Sequence, residues 1–362
     1  MSELKAPLAH TAERLLQKFC PPEVVNGAEQ GEWPDRLWQA VQEAGLHRAW
    51  LSEQAGGSAV DVSDVLAMLK VVGRFAAPVP LAETLLAGWL LDVAQLRIPD
   101  GPLSVAPVST QTRIQFRRTA RGWLLSGVAR QVPWGAVAGY LVVAGRAGGQ
   151  DCVAVVETSR CLVTRGRNMA GEARDDVDFT GVTVSFDTLA PAPPGISQGS
   201  LWHRGALTRV ALMTGALEKV MALTLRYAGE RVQFGKPIGK FQAVQQQLAL
   251  MSAEVAAACV ATDAAGQAVD RGRGLAETAC AKVRVGEAAG ITAAMAHQIH
   301  GAIGVTHEHT LNHSTRRLWS WRDEFGSEVE WAGYLGHWIV ESGPVAFWPA
   351  LTSHDGFQTP GA

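Results

Sequence analysis

The period of the hydrophobic pattern changes twice along this chain of 362 residues, and that change limits the fold classes open to it. Up to about residue 103, apolar residues such as Trp33, Leu37 and Val41 recur at helical spacing. From about 104 to 196 the pattern shortens to strands of about five to eight residues between turn signals. From 201 onward, long helical segments rich in Ala, Leu, Val and Met return. This order predicts helices, then strands, then a helical bundle.

The predicted fold class is an α+β multidomain protein. It has an N-terminal helical domain, a middle antiparallel β-barrel and a C-terminal four-helix bundle. A Pro/Gly-rich run at 189–200 indicates a boundary between the strands and the bundle. We predict domains at 1–103, 104–200 and 201–342, followed by a tail at 343–362.

Composition argues against several functional classes. Lys+Arg 32 against Asp+Glu 34 gives a net charge of −2 without a basic tract, which does not favour nucleic-acid binding. The hydrophobic fraction of 47% is too high for extended disorder. No stretch approaches the roughly 18 uncharged apolar residues of a membrane span, and the first residues lack the apolar core of a signal peptide. Five cysteines form no short-spaced pair, so we expect reduced thiols and a cytoplasmic location.

The segment ERVQFGKPIGKFQAVQQQLA at 230–249 closes one long predicted helix and opens the next. Its glycines and proline force a turn, Arg231 and Lys236 place positive charge around it, and Phe234 and Phe241 add flat apolar surfaces. A cation beside an aromatic face at a helix start suits a ligand that joins phosphate to a planar heterocycle. The alternative is a capped interhelical turn with a solvated charged rim.

The segment QIHGAIG at 298–304 follows the third long helical segment. Gly301 and Gly304 permit close backbone approach and exposed amide donors, which suit a phosphate. The spacing is not a dinucleotide-binding fingerprint, because it differs from G-x-G-x-x-G and no strand precedes it. A simple helix C-cap explains the glycines about as well.

Histidines cluster near these glycines, and two of them, His309 and His313, have the four-residue spacing of metal ligands on a helix. No HExxH pattern is present, and Glu308 lies between His307 and His309. Ligand histidines usually come with a third protein ligand and an acidic second shell at recognisable spacing, so we interpret the cluster as solvated or capping histidines and predict no metal site. The cluster comprises His297, His300, His307, His309 and His313.

The segment RRLWSWRDEFGSEVEW at 316–331 interleaves three tryptophans and a phenylalanine with acids and arginines. Such a mixture is typical of a helix wedged between others, with buried aromatic rings and ion pairs at the rim. The alternative is a ligand-facing turn at Phe325, Gly326 and Ser327.

Taken together, these segments resemble the acyl-CoA dehydrogenase family. The helix–strand–helix order, ERVQFGKPIGKFQAVQ, QIHGAIGVTHE and RDEFGS fall in the family's order and approximate spacing. The match is most specific over 226–330, moderate over the first hundred residues and weak in the strand region. The resemblance implies an oxidoreductase of lipid catabolism, with the family's three-domain fold and with FAD held between subunits.

The resemblance also implies residues that contact FAD. The bundle turn and the glycine loop of such proteins grip the AMP and pyrophosphate part of the cofactor, and Ser327 takes the place of a Thr near it. The matching positions here are Arg231, Phe234, Phe241, Gln242, Gln298, Gly301, Gly304 and Ser327.

The reaction implied is α,β-dehydrogenation of an acyl-CoA thioester, with electrons passing to an electron-transfer flavoprotein. A carboxylate removes the α-proton while the thioester carbonyl is hydrogen-bonded. Counting from Gln298, Glu308 and Arg316 keep the family's acidic and basic positions, but the usual base becomes Phe325. Glu324, one residue away, is the candidate base. Some relatives place the base near the position of Gly205, where this chain has no acid between 188 and 217.

In these departures the chain resembles short bacterial members of the family that work as pairs of unlike subunits. Such pairs often act on bulky or unusual CoA thioesters, such as those of steroid side chains or dicarboxylates. The family's flavin-side Trp-Ile-Thr is represented at best by Val132, Pro133 and Trp134. We carry three hypotheses. The chain is a dehydrogenase active alone with Glu324, or a subunit that completes FAD sites in a heteromer without its own base. Otherwise it is a flavin-free homologue, or a metal hydrolase built on the histidines. The first two imply a homo- or hetero-oligomer.

Overall fold

The first part of the chain is helical, as the spacing predicts. The structure is a computed structural model that describes residues 5–306 and 309–352. Helix α2 shows why a segment starts and stops where it does, because Pro22 stands at its first position and Gly31 closes it with φ 105°. The helices are α1 (Lys5–Phe19), α2 (Pro22–Gln30), α3 (Asp35–Glu43), α4 (Val62–Arg74) and α5 (Leu81–Val93).

The middle region consists of short strands in two sheets. A seven-stranded sheet has the order β10-β6-β5-β2-β3-β9, with β1 parallel to β5, and a three-stranded sheet has the order β4-β8-β7. Residues of both sheets, such as Leu125, Val132 and Val177, share one buried core. The strands are β1 (Leu103–Ala106), β2 (Gln115–Thr119), β3 (Gly122–Ser126), β4 (Val128–Pro133), β5 (Tyr140–Ala147), β6 (Gln150–Glu157), β7 (Leu162–Thr164), β8 (Arg174–Asp178), β9 (Thr183–Val184) and β10 (Leu189–Pro191).

The seven-stranded sheet must curve, because its two edge strands are neighbours in sequence. Strands β9 and β10 lie at opposite edges, which a flat sheet would separate by roughly 24 Å. The connection from Val184 to Leu189 spans at most about 18 Å when fully extended. The prediction of strands in the middle region is confirmed, but the closed barrel is wrong. The strands described between 103 and 191 divide between two sheets, and the edges do not pair.

The last part is again helical, and two of its long helices, α7 and α8, form an antiparallel pair. Helices α7 and α8 pack along each other and are joined by the four residues 271–274. The elements are α6 (Gln198–Glu230), β11 (Val232–Gln233), β12 (Lys236–Pro237), α7 (Gln242–Asp270), α8 (Leu275–His300), α9 (Leu311–Trp321) and α10 (Glu328–Thr352). Helix α10 is broken at Gly343, where φ is 75°, and this break coincides with the start of the predicted tail. Residues 353–362 of that tail lie outside the described residues.

The fold class is confirmed as mixed α and β, with N-terminal helices, central sheets and a C-terminal helical bundle. By internal contacts the chain divides into two compact units, one from Met1–Asp61 with Pro78–Gly205 and one from Val62–Ala77 with Ala206–Ala362. The predicted limits at 103 and 200 stay predictions. Within the described residues, α7 is the one helix long and apolar enough to cross a membrane by length and composition. It packs against α4 and α8.

Two glycines let α4 and α6 approach each other at backbone distance. A Cβ on Gly73 would overlap the carbonyl of Leu212, and a Cβ on Gly215 would overlap the carbonyl of Lys70. Both obstacles are backbone atoms, which cannot move aside as a flexible side chain does. These glycines therefore set the distance between the two helices.

We expect Gly73→Ala to lower the free energy of unfolding by about 2 kcal/mol, because the added methyl group forces the helices apart. The matched control is Gly229→Ala in the exposed end of α6, where a Cβ meets nothing within 4 Å. There the gain in helix propensity should raise stability by about 0.5 kcal/mol. Urea unfolding followed by circular dichroism measures both changes, and a stabilising Gly73→Ala would contradict the close approach.

Candidate active site

The segment after α6 is a tight two-stranded hairpin rather than an irregular turn. Strands β11 and β12 pair, and the two residues between them, Phe234 and Gly235, have φ of 49° and 79°. Positive φ at both central positions is typical of the hairpin turn that matches strand twist. Glycine adopts this conformation freely, but for a bulky residue such as Phe234 it is an outlier of the kind that clusters at functional sites.

The hairpin presents an aromatic and cationic surface. The Phe234 side chain is 92% exposed, and its ring meets the ring of Phe241 edge-on at 6.2 Å between centroids. Lys236 Nζ lies 4.4 Å from the centroid of the Phe241 ring. Arg231 is exposed and forms no ion pair with any residue that the structure describes. An aromatic ring held out in water beside an uncompensated cation indicates a binding surface.

The glycine loop lies at the same end of the antiparallel α7–α8 pair as this hairpin. Helix α7 begins at Gln242, directly after the hairpin, and α8 ends at His300, directly before the loop. Gly301 has φ 63° and ψ −145°, with open space where a Cβ would stand, and Gln298 is exposed one turn earlier. The tertiary structure therefore brings the two predicted cofactor segments together, as the bundle topology requires.

At Gly304 the absence of a side chain is required by close packing, not by access of a ligand to the backbone. A Cβ there would lie 2.9 Å from His300 Cβ, 3.1 Å from Leu311 Cδ2 and 3.3 Å from His297 Nδ1. The loop can fold back on the end of α8 only if this position has no side chain. Gly304 thus shapes the loop from inside, whereas Gly301 leaves its backbone open.

The histidines stack on aromatic rings. His300 lies on Tyr227 at 4.5 Å between centroids, His309 meets His300 at 4.9 Å, and His297 lies on Trp319 at 5.5 Å. Burial lowers the pKa of His297, His300 and His309 below the ordinary value of 6.5. No group of three or more metal-ligating side chains occurs within the described residues, 5–306 and 309–352. His300 is buried rather than solvated, and His307 and Glu308 lie outside the described residues.

The turn between α9 and α10 buries the residue at the predicted base position. Phe325 is 1% exposed, has φ 53°, and its carbonyl accepts a hydrogen bond of 2.9 Å from Trp331 Nε1. The Lys282 ammonium donates to the carbonyl oxygens of Arg322 and Gly326, at 2.7 Å for the latter. Burial lowers the pKa of Lys282 to about 8, and the neighbouring carboxylates oppose that shift. The turn is therefore fixed from inside by buried donors.

Glu324 is ion-paired. Its Oε2 accepts a hydrogen bond of 2.6 Å from Nε of Arg209, and the side chains are 15% and 1% exposed. The Arg209 guanidinium also lies 5.3 Å from the centroid of the Phe325 ring. A charge-assisted hydrogen bond of this length holds the carboxylate in one orientation.

Ser327 caps the next helix. Its N–H and Oγ–H both donate to Glu330 Oε2, at 2.8 and 3.1 Å, and Glu330 N–H points back to Ser327 Oγ at 3.4 Å. This is the reciprocal Ser-x-x-Glu box that starts many helices. The cofactor role of Ser327 stays a prediction, and a cofactor would have to share the hydroxyl with this cap.

Trp134 belongs to the segment that best matches the family's flavin-side motif in sequence, and it lies just after β4. It has φ 56°, and its N–H donates to Ala173 O at 3.0 Å. A cavity of about 480 Å³ adjoins it, lined also by Trp33, Arg165 and Asp175. An aromatic ring beside an open cavity is compatible with a planar ligand on this side.

Both ends of the chain match one enzyme family. Residues 2–93 match the family described as "Acyl-CoA dehydrogenase, N-terminal domain", and residues 199–322 match "Acyl-CoA dehydrogenase, C-terminal domain". The chain belongs to the acyl-CoA dehydrogenase family. It is therefore an oxidoreductase of a class that acts on acyl-CoA with FAD as its cofactor, and the predicted family, enzyme class and cofactor are confirmed.

Individual relatives cover most of the chain. Acyl-CoA dehydrogenase IpdE2 of Mycolicibacterium smegmatis is 26% identical over 86% of this chain and 91% of its own length. Acyl-CoA dehydrogenase FadE27 of Mycobacterium tuberculosis is 27% identical over 68% of this chain and 71% of its own. The ChsE4-ChsE5 complex of Mycobacterium tuberculosis has a chain with a TM-score of 0.86 and 23% identity, covering 95% of this chain and 99% of that one. At that identity the structural match shows the fold alone.

Sequence reasoning missed two functional-site neighbours, Arg209 and Lys282. Both are buried charges, and both contact the turn that carries Glu324 and Phe325. Other Asp, Glu, Lys and Arg residues of the same helices are half-buried or exposed, so the sequence carries no local signal that these two are buried and need a buried partner. The partner itself could not be found from sequence, since Arg209 and Glu324 are 115 residues apart.

We expect the free energy of unfolding to fall as pH drops below about 6.5, because the unfolded histidines then bind protons that the buried ones resist. His300→Phe keeps a ring on Tyr227 and removes one titrating group. It should reduce that dependence by up to about 1.4 kcal/mol per pH unit. Urea unfolding between pH 7.5 and pH 5 measures the slope, and an unchanged slope in His300→Phe would contradict the assignment.

Proposed function

We propose that this chain is the subunit of a heteromeric acyl-CoA dehydrogenase that completes the FAD site while an unlike family member supplies the catalytic carboxylate. The observation that carries the proposal is Phe325, an apolar side chain buried where the sequence count puts the base. A hydrocarbon ring accepts no proton, and Phe325 is held in place by packing and by the hydrogen bond to its carbonyl.

The hairpin and glycine loop fit the nucleotide half of FAD. Arg231 offers a guanidinium for a phosphate, Phe234 offers a ring for a planar base, and Gly301 presents no side chain that would block a ligand. The exposed aromatic surface is unexplained within one chain and suits a cofactor shared between subunits. Phe241, Gln242, Gln298, Gly304 and Ser327 belong to the same proposed set.

The reaction proposed for the assembled enzyme is α,β-dehydrogenation of a CoA thioester in the cytoplasm. FAD, when bound, supplies the acceptor for the hydride that leaves the β-carbon, and an electron-transfer flavoprotein is the proposed electron acceptor. The partner's carboxylate removes the α-proton, which the thioester carbonyl acidifies. The residues of this chain bind and orient the nucleotide end of the cofactor. The substrate and the flavin are then held in one relative geometry while the proton and the hydride are transferred.

The competing proposal is a dehydrogenase active alone with Glu324 as its base. A general base must turn toward the proton that it removes. For Glu324 this breaks the 2.6 Å contact to Arg209 and leaves Arg209 buried without that counter-charge. Breaking a buried pair costs about 3–5 kcal/mol. The geometry therefore favours a structural role for Glu324.

The relatives support an assembly of unlike chains. The structural match named ChsE4-ChsE5 is a complex of two differently named chains, and this chain has the same fold as one of them. Its sequence relatives IpdE2 and FadE27 are both named acyl-CoA dehydrogenases. An unlike partner that retains the catalytic glutamate would complete what this chain lacks.

We expect Phe234→Ala and Arg231→Ala each to weaken FAD binding at least about tenfold, equivalent to 1.4 kcal/mol. The complex would be produced by co-expression with an unlike family member and its FAD-to-protein ratio measured by absorbance. The matched control is Leu162→Ala, which removes another exposed apolar side chain from a different part of the chain.

A full flavin complement in both hairpin variants would contradict the proposed cofactor surface. Colourless protein from the unmodified complex would favour the flavin-free hypothesis instead.

We expect Glu324→Gln to lower the thermal stability of the heteromer but to leave its turnover within about threefold of the unmodified enzyme. The stability loss of about 3 kcal/mol follows from breaking the buried pair with Arg209. Differential scanning fluorimetry and a dye-reduction assay give the two readouts. Asp323→Asn, at the exposed neighbouring position, is the matched control and should change neither.

Turnover by the purified chain alone, abolished in a folded Glu324→Gln variant, would overturn the proposal and identify Glu324 as the base. Activity that appears only with the unlike subunit, and survives Glu324→Gln, is the expected result.

A further inference from the structure

A second cavity lies at one mouth of the curved seven-stranded sheet. Its volume is about 600 Å³, and its lining comes from β2, β3, β6 and β10, with the short helix Phe186–Thr188 closing the ring between the two sheet edges. The mouths of curved sheets and barrels are common places for small-molecule sites, and this volume is within their usual range. The failure of the sheet to close leaves this opening.

The cavity lies away from Trp134, the residue compared above with the family's flavin-side motif. It adjoins Ala147 and Gly148 at the end of β5, whereas the turn that carries Trp134 precedes the start of that strand at Tyr140. Eight residues of β5 separate the two ends by roughly 25 Å. The cavity beside Trp134 shares none of its lining residues with this one.

The walls of the cavity are aromatic and apolar. Phe116 and Trp123 line it from β2 and β3, and Leu189 lines it from β10. The Phe186 ring closes one side, with the Arg118 guanidinium 5.4 Å from its centroid. Planar apolar ligands pack well between such rings.

Two cations at the rim lack counter-charges. Arg117 and Arg118 are exposed, both line the cavity, and neither forms an ion pair with a residue in the described ranges 5–306 and 309–352. The neighbouring Gln150 adds an amide, and no carboxylate lines the cavity. Consecutive residues of a strand point to opposite faces, so Arg118 shares the face of Phe116 and Trp123, its cross-strand neighbour, while Arg117 borders the cavity from the other face. The Arg118 guanidinium above an apolar floor complements an anionic head on an apolar body.

We propose that this mouth binds a small organic anion with a planar apolar body, of the chemical class of aromatic carboxylates. The rings of Phe116, Trp123 and Phe186 hold the body, Arg118 holds the carboxylate at the rim, and Arg117 adds positive charge nearby. The cavity shares no lining residue with the proposed FAD set.

Isothermal titration calorimetry of the full chain with naphthoate tests the proposal. Naphthoate should bind one site per chain with a Kd below about 1 mM. The double substitution Arg117→Gln and Arg118→Gln should weaken binding at least tenfold, and the neutral isostere naphthylmethanol should bind at least tenfold more weakly than naphthoate. Both arginines are exposed, so the variant should fold.

Arg121→Gln is the matched control, because Arg121 lies in the same hairpin, is exposed and does not line the cavity. It should bind naphthoate as the unmodified chain does, and Phe186→Ala should lose affinity. Absence of binding at millimolar naphthoate would overturn the proposal. Unchanged binding in the double variant would place the ligand elsewhere, and equal binding of the alcohol would remove the anion requirement; either result also overturns it.

Discussion

The buried pair between Arg209 and Glu324 is the interaction that fixes the turn where the sequence count places the catalytic base. It joins α6 to the turn before α10 and holds the Glu324 carboxylate in one orientation, while Lys282 binds two carbonyls of the same turn. Phe325, the residue that the sequence count aligns with the base, is buried in this turn. Buried charges satisfied in this way are costly to disturb, so the turn is held rigidly. This rigidity supports the proposal that an unlike subunit supplies the catalytic carboxylate.

The hairpin proposed to bind the nucleotide end of FAD is arranged in the opposite way, with an aromatic ring and a cation exposed at its surface. Phe234 stands in water with an unfavourable φ, and Arg231 has no counter-charge among the described residues. Strained backbone of this kind clusters at ligand-binding and active sites. At the predicted base position the buried charges are paired, whereas at the predicted nucleotide position a cation has no counter-charge among the described residues. The proposed site-completing subunit requires both features. The proposed division of labour between unlike chains follows from this contrast.

Much of the fold followed from local patterns. The change from helical to strand periodicity and back predicted the order of elements, and the tight turn at 231–239 was recognisable from its glycines and proline. The closed barrel was wrong, because strand spacing along a sequence does not say which edges pair. The hydrogen-bonded order separates β9 and β10, and only a curved, open sheet reconciles that order with their short connection. The same opening produces the aromatic cavity beside Arg117 and Arg118.

The amino-acid sequence by itself determined the family, the helix–strand–helix order and the segments that present cations, rings and glycines. These are local properties, because helical period, turn chemistry and charge are written in residues close together along the chain. Only the tertiary structure decided that Glu324 is bound by Arg209, that Ser327 is a helix cap and that Gly304 is buried in packing. Those outcomes depend on contacts between distant segments, whose geometry is set by the packing of whole helices rather than by any local pattern.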